Sequence, residues 1–163
     1  MVAIQLKKQK NYIMTNILVD TNCFVSLLDT SDKWNKTSVE IYTELNQLNV
    51  NLLLTDIVLN EAINVICKRL ENKGRSNEMK EFLGLIEKKF TSDSIIWISE
   101  EIKKYHHSII KLVSDNNGLL NYNDCFLIVY MQKNKIKNII SFDNDFDSID
   151  GINRISNKMF ELK

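Results

Sequence analysis

Short, unbroken apolar runs alternate with longer amphipathic stretches along this chain. Ile17-Leu18-Val19 sits inside a first predicted strand, Asn16–Asp20, and shows no polar alternation, as expected of a strand covered on both faces. Further strands are predicted at Asn51–Leu54, Ser94–Ile98 and Asn138–Ser141, with a fifth at Ile152–Ile155. Between them lie helical patterns. Cys23–Leu28 predicts a short helix. Lys33–Leu48 predicts a second, capped by Ser31-Asp32 and burying Trp34, Val39, Ile41, Tyr42 and Leu45. Thr55 or Asp56 caps a third that runs to about Asn72 and is closed by Gly74. A fourth follows Ser76 through Lys88, with Met79, Phe82, Leu83 and Ile86 inward. Ser99 caps a fifth, carrying Ile102, Tyr105, Ile109, Ile110 and Val113, and Asn121 opens a sixth through Asn134.

Strands of continuous apolar character separated by helices predict α/β architecture: a single-domain α/β/α sandwich around a parallel sheet. Residues 1–15, with the Lys7-Lys8-Gln9-Lys10 cluster, fit no element. They read as an N-terminal arm, disordered or an upstream start before Met14, with the domain proper spanning 16–163.

Composition narrows the function classes. The 163 residues suit one domain with a substantial core. Lys+Arg and Asp+Glu both number 21. Affinity for nucleic acid must then come from local patches and metal, not net charge. The longest apolar stretch, Cys125–Met131, is too short to span a bilayer, and no signal peptide is visible. Three scattered cysteines support neither a zinc ribbon nor a disulfide framework and read as reduced, buried thiols in a cytoplasmic protein.

Four acids carry the candidate chemistry. Asp20 ends the first strand, where open α/β sheets place ligands, although a turn or cap role is also available there. Glu61 shares a helix face with Ile57, Val58 and Val65, and either meets a ligand or points to solvent beside Asn60, Asn64 and Lys68. Asp124 lies in the first turn of a helix that is apolar all round, where the helix dipole alone would favour it. Asp143 follows the strand at Asn138. An EF-hand loop starting there fails, because Ser148 and Arg154 stand where Gly and Glu are needed. Four carboxylates at one sheet edge repel one another unless protonated or bound to a cation, so their joint placement points to a divalent-metal site.

The ordered set Val19-Asp20-Thr21-Asn22, Thr55-Asp56-Ile57-Val58-Leu59-Asn60-Glu61, Leu120-Asn121-Tyr122-Asn123-Asp124 and Ser141-Phe142-Asp143-Asn144-Asp145-Phe146 resembles the PIN-domain family of metal-dependent ribonucleases, which includes the VapC-like toxins. It spans about residues 16 to 156. The resemblance implies that Asp20, Glu61, Asp124 and Asp143 are catalytic residues that bind one or two Mg2+ or Mn2+ ions, with Asn22 and Ser141 in support. It implies RNA as substrate. A homodimer, and an antitoxin protein as partner, are implied by the resemblance alone. A housekeeping ribonuclease, or an RNA-binding assembly protein without cleavage, are the alternatives. A phosphatase of the haloacid dehalogenase type would need a second Asp where Asn22 stands. Lys33, Lys36, Lys68 and Arg69 are candidate RNA contacts. His106-His107 reads as a solvent-facing pair, and Trp34 and Trp97 as packing residues.

Overall fold

The computed structural model describes residues 14–157 and 162; of the arm expected over residues 1–15, residues 1–13 lie outside them, while Thr15 already belongs to the first strand. Among the described residues, four strands form one all-parallel sheet in the order β2-β1-β3-β4. They are β1 (Thr15–Val19), β2 (Val50–Leu53), β3 (Asn138–Ile140) and β4 (Asn153–Ile155). Ile17, Leu18, Val19, Ile139 and Ile140 are buried, which accounts for the unalternated apolar runs. β1 is flanked by β2 and β3, in register from Thr15↔Val50 and Ile17↔Asn138. The chain leaves β1 toward β2 and later returns to β3 on its other side. The carboxyl ends of β1 and β3 thus form the point where strand order reverses.

Among the described residues, six α-helices complete the sandwich: α1 (Thr21–Leu28), α2 (Asn35–Leu45), α3 (Asp56–Asn72), α4 (Met79–Lys89), α5 (Ile102–Asp115) and α6 (Tyr122–Lys133). α1 packs on α2 and α3, and α5 packs on α6. Every residue of α6 from Cys125 to Met131 is buried, so it is the central helix its composition predicts. Thr55 Oγ1 accepts from the Val58 N–H and caps α3. Gly74, at φ +67°, closes it, with its N–H bonded to Glu71 O at 2.9 Å.

Several expectations need correction. Ser94–Ile98 is not a regular strand. A 3-10 turn covers Ser92–Ser94, and the backbone joins the β2 end through one isolated parallel bridge, Thr55↔Ile96. Asp56 caps the next turn across space, accepting from Ile98 N at 3.0 Å and from the Ser99 N–H and hydroxyl. The predicted second helix begins later, at Asn35. Trp34, Val39 and Tyr42 are exposed, because α2 buries the narrower stripe Ser38, Ile41 and Leu45. Leu83, Ile102 and Ile110 are likewise exposed, while Ile86, Tyr105 and Ile109 face the core. The cysteines are free thiols, Cys23 and Cys125 buried and Cys67 half-buried.

Candidate active site

Asp20 follows β1 and is the N-cap of α1. Its Oδ1 accepts from the Thr21 N–H at 2.6 Å, and its own N–H donates to Ile140 O at 3.0 Å, locking the β1 exit against β3. Its Oδ2 accepts from Ser141 Oγ at 2.6 Å. Asn22 clasps the same junction. Its side-chain oxygen accepts from Phe142 N at 3.0 Å, and its amide donates to Ser141 Oγ at 3.2 Å. Asp143 leaves the end of β3 with its N–H on Ser141 Oγ at 3.0 Å, and its Oδ1 accepts from Asp145 N.

Glu61 reaches this junction from α3, and Thr21 Oγ1 donates to its Oε2 at 3.0 Å. Asn123, in the first turn of α6, points its amide at the same oxygen at 3.5 Å. One residue later, Asp124 forms a reciprocal capping box with Asn121: Asp124 N donates to Asn121 Oδ1 at 3.0 Å, and Asn121 N to Asp124 Oδ2 at 3.3 Å.

Asp20, Glu61, Asp124 and Asp143 line one cavity of about 360 Å³. Four separate stretches of chain deliver them, and their electrostatics register the crowding. Burial, with the charges of Glu61 and Asp143 adding to it, raises the Asp20 carboxyl to about 6 against the opposing hydrogen bonds of Ser141 and Thr21. Burial and then the Asp20 charge, with smaller contributions from Asp143 and Glu61, raise Asp124 to about 7. Among the described residues, no three His, Cys, Asp or Glu side chains stand close enough together to hold an ion as they are. The hydrogen bonds explain this in part: each carboxylate is turned toward a neighbouring hydroxyl, amide or backbone N–H. The donor set nonetheless suits a hard divalent cation. It is all oxygen, anionic and convergent, and two of its members are held in a form that a positive charge would relieve.

The basic candidates separate. Lys33 and Arg69 line the cavity, whereas Lys36 and Lys68 do not. Arg69 is held by Asp29 at 2.9 Å and Asp32 at 2.7 Å, and Lys68 by Glu71 at 2.8 Å. Asp147 pairs with Arg154 at 2.6 Å and does not line the cavity. The histidines are both exposed, as their adjacency on α5 predicts. Thr21, Asn121, Asn123 and Asp32 belong to the site and were not singled out from sequence as site residues. Thr21 adjoins Asp20, and Asn121 and Asn123 flank the start of α6, so proximity to the acids was the available signal. Trp34 is a correction. It is no core residue but part of the cavity wall.

The family model of the PIN domain matches residues 17–152. No curated protein matches the chain. Among solved structures, VapC20 of Mycobacterium tuberculosis, a sarcin–ricin loop cleaving toxin, is similar with a TM-score of 0.63 at 16% identity, over 81% of this chain and 93% of its own. VapBC2 of Rickettsia felis, solved with a DNA fragment from their promoter, gives a TM-score of 0.59 at 14% identity, over 86% and 98%. At these identities both report the fold. Among the described residues, no helix is long and apolar enough to cross a membrane.

Proposed function

The chain belongs to the PIN-domain family, and from that premise we propose that it is a divalent-metal-dependent endoribonuclease acting on single-stranded or looped RNA. The observation that carries this is the convergence of Asp20, Glu61, Asp124 and Asp143 on one cavity at the strand-order reversal. These four residues would hold one or two Mg2+ or Mn2+ ions. When bound, such an ion acidifies water and offsets the negative charge that builds on the phosphate during attack.

The remaining work falls to the chain. Thr21 N–H and Ser141 Oγ aim the Asp20 carboxylate, and Thr21 Oγ1 and Asn123 aim Glu61. Asn22 ties the Phe142 backbone to α1, so the β1 and β3 exits keep a fixed separation. An acid of the four that is not engaged by the ion orients the attacking water or accepts its proton.

The toxin reading, with an antitoxin protein as partner, draws support from the likeness to VapC20 and VapBC2. The test is incubation of the purified protein with single-stranded and hairpin RNA in Mn2+ or Mg2+. Internal cleavage that is lost in EDTA and in Asp20→Asn is expected. RNA that is bound but left intact with Mn2+ present would instead make the chain a binding module.

A further inference from the structure

Trp34 is not explained by the carboxylate chemistry. It stands in the turn before α2, on the wall of the acid-lined cavity. Its indole is stacked on the Phe142 ring, with centroids 4.7 Å apart and planes 9° from parallel. Phe142 lies between Ser141 and Asp143, and Asn22 holds its backbone N–H. The indole plane is therefore fixed relative to the acids. Yet Trp34 remains 38% exposed, leaving apolar ring surface in a groove otherwise lined largely by polar and charged groups.

Lys33 Nζ lies 5.3 Å from the Trp34 ring centroid. Among the described residues Lys33 makes no ion pair, unlike Arg69 on the same wall. The ammonium lies over the indole and has no acidic partner, so the flexible lysine can swing from the ring to a phosphate while a base takes its place on the ring.

We propose that Trp34, backed by Phe142, is the stacking platform for a nucleobase next to the scissile phosphate, with Lys33 neutralising a flanking phosphate. This rests on the ribonuclease reading and adds to it the residue that holds the substrate. Every base has a π-face, so the platform selects an unstacked nucleotide in preference to a particular base. Duplex RNA, whose bases already stack on one another, offers it nothing.

The chain has two tryptophans, so Trp97→Phe leaves Trp34 as the sole indole reporter. In that background, a single-stranded oligoribonucleotide should quench Trp34 fluorescence. A ribose-phosphate oligomer of equal length without bases should not. In cleavage assays, Trp34→Ala should raise KM about ten-fold while kcat stays within about two-fold, and Trp34→Phe should recover most of the loss. Cleavage without quenching, or a Trp34→Ala effect confined to kcat, overturns the platform. Base-dependent quenching without cleavage keeps the platform and overturns the ribonuclease reading. Neither quenching nor cleavage overturns both.

Discussion

Ser141 Oγ donates a 2.6 Å hydrogen bond to Asp20 Oδ2 across a separation of 121 residues. The same oxygen receives the Asp143 N–H and the Asn22 amide. One buried hydroxyl thus joins the exits of β1 and β3 and opposes the burial that drives Asp20 toward its neutral form. Ser141→Ala removes that opposition. A hydrogen bond to a charged group contributes about 1.5–3 kcal/mol, or roughly one to two pH units of carboxyl affinity for its proton. The acid limb of the cleavage rate profile should move upward by about one unit, with Ser141→Thr closer to wild type. An unmoved limb would show that Asp20 ionisation does not limit the rate.

Metal-free protein should lose stability as pH rises from about 4 to about 7. The folded state raises Asp20 from 3.8 to about 6 and Asp124 from 3.8 to about 7, so it binds protons more tightly than the unfolded chain across that window. Protons are then released on unfolding, and rising pH favours the unfolded state. Asp20 alone accounts for about 2–3 kcal/mol at 1.36 kcal/mol per unit. Asp29, lowered to about 2 because hydrogen bonds from Ser31 and Arg69 outweigh its burial, acts oppositely but only at lower pH. Melting temperatures in EDTA should fall between about pH 4 and about pH 7, and Asp20→Asn should flatten part of that slope. A melting temperature that climbs over this range would contradict the raised carboxyls.

The gathering of the acids was legible because each sits where an element begins or ends, or interrupts an apolar face, and parallel topology sends strand ends to one edge. Strands β1 and β3 were legible because burial on both faces leaves short apolar runs, Ile17-Leu18-Val19 and Ile139-Ile140, whereas the edge strands β2 and β4 are only partly buried and carry Asn51 and Arg154. The same cue misled at Ile95-Ile96-Trp97-Ile98. Hydrophobicity records burial and not backbone partners, and here a single bridge replaces a ladder while Trp97 turns outward to donate to Ser92 O at 3.0 Å. Trp34 was misplaced for a different reason. A helical wheel extended through it assigned it to the core, whereas α2 starts one residue later and its phase does not apply. Thr21 and Asn123 had only their adjacency to Asp20 and Asp124 as a signal, since their partner Glu61 is 40 and 62 residues away in sequence.

Mn2+ should stabilise the protein, and more so at pH 8 than at pH 5, where protons compete for the same oxygens. At a hundred times its dissociation constant a ligand confined to the folded state adds about 2.7 kcal/mol. Thermal melts at constant ionic strength should therefore show a Mn2+ shift that shrinks in Asp20→Asn and in Asp124→Asn. The second variant keeps a side-chain oxygen to accept from Asn121 N, so the α6 cap survives and the loss reports the charge. Equal shifts in all three proteins would locate the ion elsewhere.

Asn121 separates capping from chemistry. Its Oδ1 holds the Asp124 N–H and its backbone N–H meets the Asp124 carboxylate. Asn121→Ala removes the side-chain half of the box and should cost about 1 kcal/mol in denaturant unfolding. Asn121→Ser should recover most of it. A cost near zero would mean that α6, buried along its length, needs no cap.

Arg69 and Lys33 share the cavity wall but should differ in what they do for RNA. Arg69 links α3 to the segment between α1 and α2 through Asp29 and Asp32, both largely shielded from solvent. Its charge is already answered by two carboxylates, so it has little left to offer a phosphate. Removing it strands those acids, and Arg69→Gln should lose about 1–2 kcal/mol of stability, as partly buried pairs do when one member goes. Lys33, with its ammonium over Trp34, has no such structural duty. Lys33→Gln should leave unfolding unchanged and reduce the slope of log affinity against log salt by about 0.7, the single-strand value for one phosphate contact. Arg69→Gln should leave that slope intact. Salt titrations of RNA binding in both variants decide the assignment, and a reduced slope in Arg69→Gln would mean that RNA displaces Asp29 and Asp32 from the guanidinium.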